Sequence, residues 1–169
     1  ARMLLEEHIE YEVVSINASQ ERINNFELII IPSSNTLSEE EIKKLKHFQN
    51  KGGALVVIGK GALNNKRDKF IFDLGAKYIG PSDFDMDYVQ VRKELSNNLV
   101  SSPFITYLPG IKSEAVEDSN ILADIKVPYF SRTLEKYNGH LYAPNKLDKE
   151  NYPAVLQYKN TVFFAHDLD

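Results

Sequence analysis

Two apolar runs with a fully punctuated helical stretch between them constrain this chain more than any other feature. Leu28-Ile29-Ile30-Ile31 and Ala54-Leu55-Val56-Val57-Ile58 are too continuously apolar for strands with one wet face, so each is expected to be covered on both sides. Between them, Ser38 suits a helix N-cap, Glu41 three residues later completes a capping box, and Leu37 is placed to staple against Ile42. Ile42, Leu45 and Phe48 mark one face, while Lys43, Lys44 and Lys46 lie elsewhere. Gly52-Gly53 stops the helix, with one glycine expected at positive φ. Strand, crossover helix and strand of this length predict a right-handed parallel βαβ unit over Glu27–Ile58.

The flanks extend this unit. Met3-Leu4-Leu5-Glu6-Glu7-His8 opens in helical pattern, with Met3, Leu4 and Leu5 expected inward and no cap or strand ahead of it. A parallel α/β sheet normally opens with a strand. Residues 1–169 are therefore expected to be a single domain cut from a longer protein and lacking its first strand. Tyr11–Ile16 reads as a strand near a sheet edge, and Ile23 and Phe26 as anchors of a polar connection. Gly59-Lys60-Gly61 predicts a tight turn at the carboxyl edge of the sheet. Phe70–Leu74 predicts a short helix ended by Gly75, and Ala76–Ile79 a strand closed by Gly80-Pro81. Beyond Pro81, the alternating stretch Asp83–Arg92 and the segments Phe104–Tyr107, Ser113–Val116 and Ile121–Ile125 predict an antiparallel extension. That extension is inserted in the parallel sheet or laid beside it. The segment from Pro128 through Lys136 is expected to be irregular or briefly helical. Ala154–Tyr158 and Thr161–Ala165, joined by Lys159-Asn160, form a predicted hairpin.

Composition removes several functions. A net charge of −4 and a pI near 5.6 leave no electrostatic footprint for nucleic acid or an anionic membrane. Glu39, Glu40 and Glu41 ahead of Lys43–Lys46 complement a helix dipole, so those lysines read as a solvated surface. The chain has no cysteine, which excludes thiol nucleophiles, disulfides and thiolate metal sites within it. No apolar run reaches the roughly 18 residues of a membrane span, and no signal-peptide layout opens the chain. A soluble protein is expected, in the cytoplasm rather than exported, although the lack of cysteine fits either compartment.

Several residues invite chemistry. Ser33 and Ser34 end the first strand, where α/β folds place ligands, yet no G-x-S-x-G elbow surrounds them. Lys60 belongs to the same edge. Asp83, Asp85 and Asp87 alternate ahead of Glu94 in a calcium-loop spacing, but Tyr88 stands where that loop needs glycine. An acidic loop running into a strand is the preferred reading. His140 and His166 with Asp167 and Asp169 offer nitrogen and oxygen metal ligands, against which stands an ordinary hydrogen-bonding or interdomain role. The aromatics Tyr129, Phe130, Tyr137, Tyr142 and Tyr152 are dense for a loop region and suit sugar stacking, an interface or burial. No catalytic residue, metal or cofactor is assigned.

The tail carries a resemblance. His140-Leu141-Tyr142-Ala143-Pro144, Tyr152-Pro153-Ala154-Val155 and Val162-Phe163-Phe164-Ala165-His166 follow the opening βαβ unit, the Gly-rich turn and the irregular middle. This order resembles the class I glutamine amidotransferase-like domain found downstream of the catalytic barrel in certain glycoside hydrolases. Examples are the trimerisation domain of family 42 β-galactosidases and the C-terminal domain of related glycosidases. The resemblance implies an α/β, flavodoxin-like three-layer sandwich with a mostly parallel sheet and an antiparallel extension. It further implies an upstream catalytic barrel domain in the same chain, a homo-oligomer and carbohydrate as a candidate partner. In amidotransferases a cysteine sits on the turn after the strand corresponding to Ala54–Ile58. Here that turn is Gly59-Lys60-Gly61, so glutamine hydrolysis by that route is excluded. The implied role is a non-catalytic accessory domain of a larger glycoside hydrolase, making oligomer or interdomain contacts. Tyr137–Pro144 and the carboxyl edge are the candidate surfaces, with Ser33, Ser34, Lys60, His140, Tyr142 and His166 as ligand or interface candidates. A free-standing hydrolase using Ser34 or a histidine–carboxylate pair, and a sugar-binding module, stay open as alternatives.

Overall fold

A computed structural model describes residues 2–34, 36–96, 99–137, 139–146 and 151–168. In chain order its elements are α1 (Arg2–Glu6), α2 (Gln20–Asn24), β1 (Leu28–Ile31), α3 (Glu39–Asn50), β2 (Ala54–Ile58), a 3-10 turn (Gly59–Ala62), β3 (Ala76–Pro81), β4 (Asp87–Val91), β5 (Phe104–Thr106), β6 (Ile111–Ala115), β7 (Asn120–Lys126), β8 (Asn151–Tyr158) and β9 (Thr161–Phe164). Seven strands form a mixed sheet in the order β1-β2-β9-β8-β7-β4-β5, and β3 and β6 form a separate two-stranded sheet.

The opening unit forms as expected. β1 and β2 pair in parallel with Leu28 opposite Ala54. Ser38 caps α3 through a complete capping box, its backbone N–H donating to Glu41 Oε2 at 2.6 Å. Gly52 takes φ 93°, and Gly53 lies so close to the Phe48 ring that a Cβ has no room. The cap hydrogen bond from the Ser38 backbone holds the Glu41 carboxyl below its ordinary pKa. A carboxylate lowered in this way contributes stability that is present above its unfolded-state pKa and lost as the pH falls through the folded one. The first turn of α3 is therefore expected to lose amide-exchange protection under acid. Glu41→Gln, which keeps an acceptor for the Ser38 N–H, should remove that acid-dependent step. A variant that loses protection across the same pH interval as the parent would refute this account.

A mostly parallel sheet does not form. β2 and β9 are parallel, but β9–β8, β8–β7, β7–β4 and β4–β5 are all antiparallel. The cause is connection length, because parallel neighbours need a crossover of a dozen or more residues. The tight β8–β9 turn, with Lys159 at φ 49°, reverses the chain instead. Most of the predicted antiparallel extension is thus part of the main sheet, and only β3 and β6 lie apart, with β6 against β8.

The expected three layers are also incomplete. In β1, Ile31 is buried, whereas Leu28 and Ile30 are 48% and 39% exposed. α3 covers the buried face, with Leu45 and Phe48 in the core and Gln49 Nε2 donating to Thr161 Oγ1 at 2.8 Å. On the opposite face Val56, Val162 and Phe164 are only half-buried. The parallel end of the sheet therefore carries one helical layer and a partly bare apolar face, not cover on both sides. Two smaller expectations fail as well. Tyr11–Ile16 is not a strand and Phe70–Leu74 is not a helix. The first finds no pairing strand, leaving Val13 87% exposed. In the second, Ile71, Phe72 and Leu74 are buried by an irregular path that Leu63 bridges at Phe70. α1 buries none of its residues, so Met3 and Leu5 do not face inward.

Candidate functional site

Because β1, β2 and β9 run parallel, their carboxyl ends share one edge of the sheet. There the chain places Ser33 and Ser34 after β1, Gly59 and Lys60 after β2, and His166 and Asp167 after β9. A cleft of about 330 Å³ opens at this edge, and Ser33, Ser34, Lys60, Asn64, Arg67 and Asp167 line it. Two glycines let the turn beside the cleft pack closely against its neighbours. Gly59 takes φ 48°, and a Cβ built on it lies 2.1 Å from Asp167 Oδ1 and 3.1 Å from Ser33 Oγ. A Cβ on Gly61 lies 2.6 Å from the Pro32 carbonyl oxygen. The first position needs the conformational freedom of glycine, and the second needs the close backbone approach.

The loop beyond the turn is fixed by Asn64. Its Oδ1 accepts from the Asp68 and Lys69 N–H groups at 3.0 and 3.3 Å, and its Nδ2 donates to Asp68 Oδ1 at 2.8 Å. Arg67, at φ 56°, donates its N–H to the Asn64 carbonyl at 2.8 Å. A short polar side chain here organises the backbone four and five residues ahead of it. The loop presents Arg67 at the cleft. Among the described residues, the side chains of Ser33, Lys60, Arg67 and Asp167 make no hydrogen bond or ion pair, so four polar groups converge there with open valences.

His166 does not line the cleft. It is buried, with its ring against Gly110 and Nε2 3.3 Å from Asp87 Oδ2. Asp87 is 0% exposed. It also accepts from Ser82 Oγ at 2.8 Å and from the Gly110 N–H at 2.7 Å, while Thr106 Oγ1 donates to its carbonyl at 3.0 Å. A carboxylate only accepts, which puts the shared hydrogen on Nε2. The pair ties the end of β9 to β4 and to the turn before β6, and so holds the neighbouring Asp167 at the cleft.

Tyr142 lies in a different groove, of about 710 Å³, which Tyr107, Leu134, Tyr137 and Leu141 also line. The Tyr107 and Tyr142 rings meet edge-on with centroids 5.8 Å apart. Beneath them, Tyr88 donates its hydroxyl to the Ala143 carbonyl at 2.8 Å, and burial raises its pKa. His140 is exposed and lines neither cavity. The three alternating aspartates do not converge. Asp83 pairs with Lys112 at 2.6 Å, Asp85 is exposed and Asp87 is buried. Among the described residues no group of three or more histidine, aspartate or glutamate side chains is arranged to hold a metal ion, and Asp169 lies outside them. Sequence reasoning missed Arg67, Asn64 and the Asp87–His166 pair. An asparagine three residues before an arginine, straight after a glycine turn, was one available signal; an aspartate on the same strand face as Val89 was the other.

No protein-family model matches the chain, and no curated protein sequence does. Solved structures match over almost its whole length. The fold is shared with segments of glycoside hydrolases and with a ThuA-like protein. One such structure is α-L-fucosidase isoenzyme 2 from Paenibacillus thiaminolyticus, with a TM-score of 0.87 and 24% identity, covering 98% of this chain and 24% of that one. The β-galactosidase from Rahnella sp. R3 gives a TM-score of 0.64 and 17% identity over 97% of this chain and 23% of that one. The ThuA-like protein from Bacteroides uniformis gives 0.60 and 15% over 98% of this chain and 71% of that one. The chain thus spans about a quarter of the two glycosidase chains. At these identities the likeness is one of fold. No described helix is long and apolar enough to cross a membrane.

Proposed function

We propose that this chain is an accessory domain of a larger glycoside hydrolase, non-catalytic by itself, which makes contacts with its parent's catalytic barrel or with another subunit. The observation that carries this reading is the correspondence of 98% of the chain, at a TM-score of 0.87, with 24% of a glycosidase chain. Two surfaces support it. One is the partly bare apolar face of β1, β2 and β9, with Leu28 and Ile30 at its edge; the other is the groove around Tyr107 and Tyr142. Exposed apolar and aromatic groups of this kind are the usual anchors of protein interfaces.

The glycine turn fits an amidotransferase-like fold whose nucleophile has gone. Gly59 has the left-handed backbone of a sharp strand-to-helix elbow, but no side chain, and Asp167 Oδ1 occupies the space where one would start. The hydrolase alternative is not favoured, since no histidine lines the cleft and neither serine is hydrogen-bonded to one among the described residues.

Light scattering of the full-length parent tests the proposal. Leu28→Glu with Ile30→Glu, or Leu141→Asp with Tyr142→Asp, is expected to weaken assembly or domain docking at least tenfold, which is the scale of a lost interface anchor. A strictly monomeric parent whose activity survives deletion of the domain would overturn it.

A further inference from the structure

We propose that the cleft at the carboxyl edge binds a small polyhydroxylated anion, a sugar carrying a single phosphate or carboxylate group. Its volume of about 330 Å³ lies at the small end of ligand pockets and suits one sugar unit rather than a polymer. The polar groups are arranged for two kinds of recognition. Asp167 and Ser33, both half-buried and both close to the missing Cβ of Gly59, accept from and donate to hydroxyl groups. Lys60 from the 3-10 turn and Arg67 from the Asn64-anchored loop add two cations against one carboxylate. In a chain of net charge −4 this is a local reversal of sign, and an arginine fork matches the oxygens of phosphate or carboxylate. None of these four side chains is satisfied by another described residue. Gly59 leaves the room that the Asp167 carboxylate takes beside Ser33, and the site lies where parallel strands end, the usual ligand edge of such sheets.

The inference does not rest on the accessory role, which involves other surfaces. Calorimetric titration of the intact chain with glucose 6-phosphate and with galacturonate tests it, with glucose and inorganic phosphate as comparison ligands. One-to-one binding of at least one sugar anion is expected, at least tenfold tighter than glucose or inorganic phosphate, and the two sugar anions distinguish a phosphate from a carboxylate ligand. The Lys60→Ala, Arg67→Ala double variant should lose at least tenfold in affinity, the scale of a charge-assisted contact, while its thermal unfolding stays near that of the parent. Asp167→Asn should erase most of the advantage of the sugar anion over inorganic phosphate. The proposal fails if neither sugar anion gives saturable heat up to about 10 mM, a limit set by millimolar affinities. It fails equally if inorganic phosphate binds as tightly as the better sugar anion, or if the double variant binds like the parent.

Discussion

Replacing Asp87 with alanine is expected to destabilise the fold by about 3–5 kcal/mol, the cost of removing one member of a buried charged network. The side chain is 0% exposed and receives three donors, Ser82 Oγ, the Gly110 N–H and His166 Nε2. Alanine takes away the acceptor that all three share, and no other acceptor is shown to replace it. A buried donor without a partner loses the hydration it gave up on folding, which outweighs the small net gain of the original bond. Asp87→Asn separates charge from shape. With its oxygen in the Oδ2 position, the amide can still accept from the Gly110 N–H and from His166 Nε2, and its nitrogen can donate to Ser82 Oγ, so only the charge is lost. A cost of about 1–2 kcal/mol follows for exchanging charge-assisted hydrogen bonds for neutral ones. Urea unfolding with linear extrapolation measures both variants. Against a total stability of about 5–15 kcal/mol, the alanine variant should sit near the edge of folding. An alanine variant no worse than the asparagine one would mean that the network contributes nothing beyond its charge.

The parts of this fold that were legible in the sequence are those specified by neighbours in the chain. Ser38, Glu41 and Gly52 lie within one helix and its caps, so the βαβ unit is visible without knowledge of anything distant. The β8–β9 hairpin is similar, because Lys159-Asn160 and the apolar runs beside it are contiguous. Pairing was not legible. Nothing in Thr161–Phe164 announces that it slots between β2 and β8, yet that insertion sets the mixed character of the sheet. The apolar run Leu28–Ile31 predicts cover on both faces, but β1 is at the edge, and its position there is a property of the whole sheet. The site divides in the same way. Ser33, Ser34 and Lys60 could be named because strand ends are where α/β folds present ligands. Asp167 reaches them only because β9 lies beside β2, and His166 meets Asp87 across 79 residues of chain. Long-range packing of this kind overrides local propensity. The same cause explains why Phe70–Leu74 gives up a helix to bury its side chains one at a time.

Phe163→Ala is expected to cost about 3–5 kcal/mol, the range for truncating a fully buried phenylalanine. Phe163 is 0% exposed in the middle of β9, with Val57 opposite on one side and Leu156 on the other. Strands paired on both flanks cannot close over the space a lost ring leaves, so little of the cavity should collapse. The ring also starts a chain of aromatic contacts. It meets Phe70 at 5.1 Å between centroids and 67° between planes, and Phe70 meets Tyr78 at 5.6 Å and 75°. Edge-on pairs of this geometry add about 0.5–1.5 kcal/mol to the area they bury. The irregular loop and the small β3–β6 sheet are thereby fastened to the main sheet through Phe70. A double-mutant cycle separates this fastening from simple burial. Phe163→Leu with Phe70→Leu should show coupling of about 0.5–1.5 kcal/mol, and Phe163→Leu with Tyr78→Leu should be additive within about 0.5 kcal/mol. Equal coupling in both cycles would mean that the three rings act as one packed volume rather than as two successive contacts. Absence of coupling in both would assign the attachment of the loop to Ile71, Phe72 and Leu74, which are buried beside it.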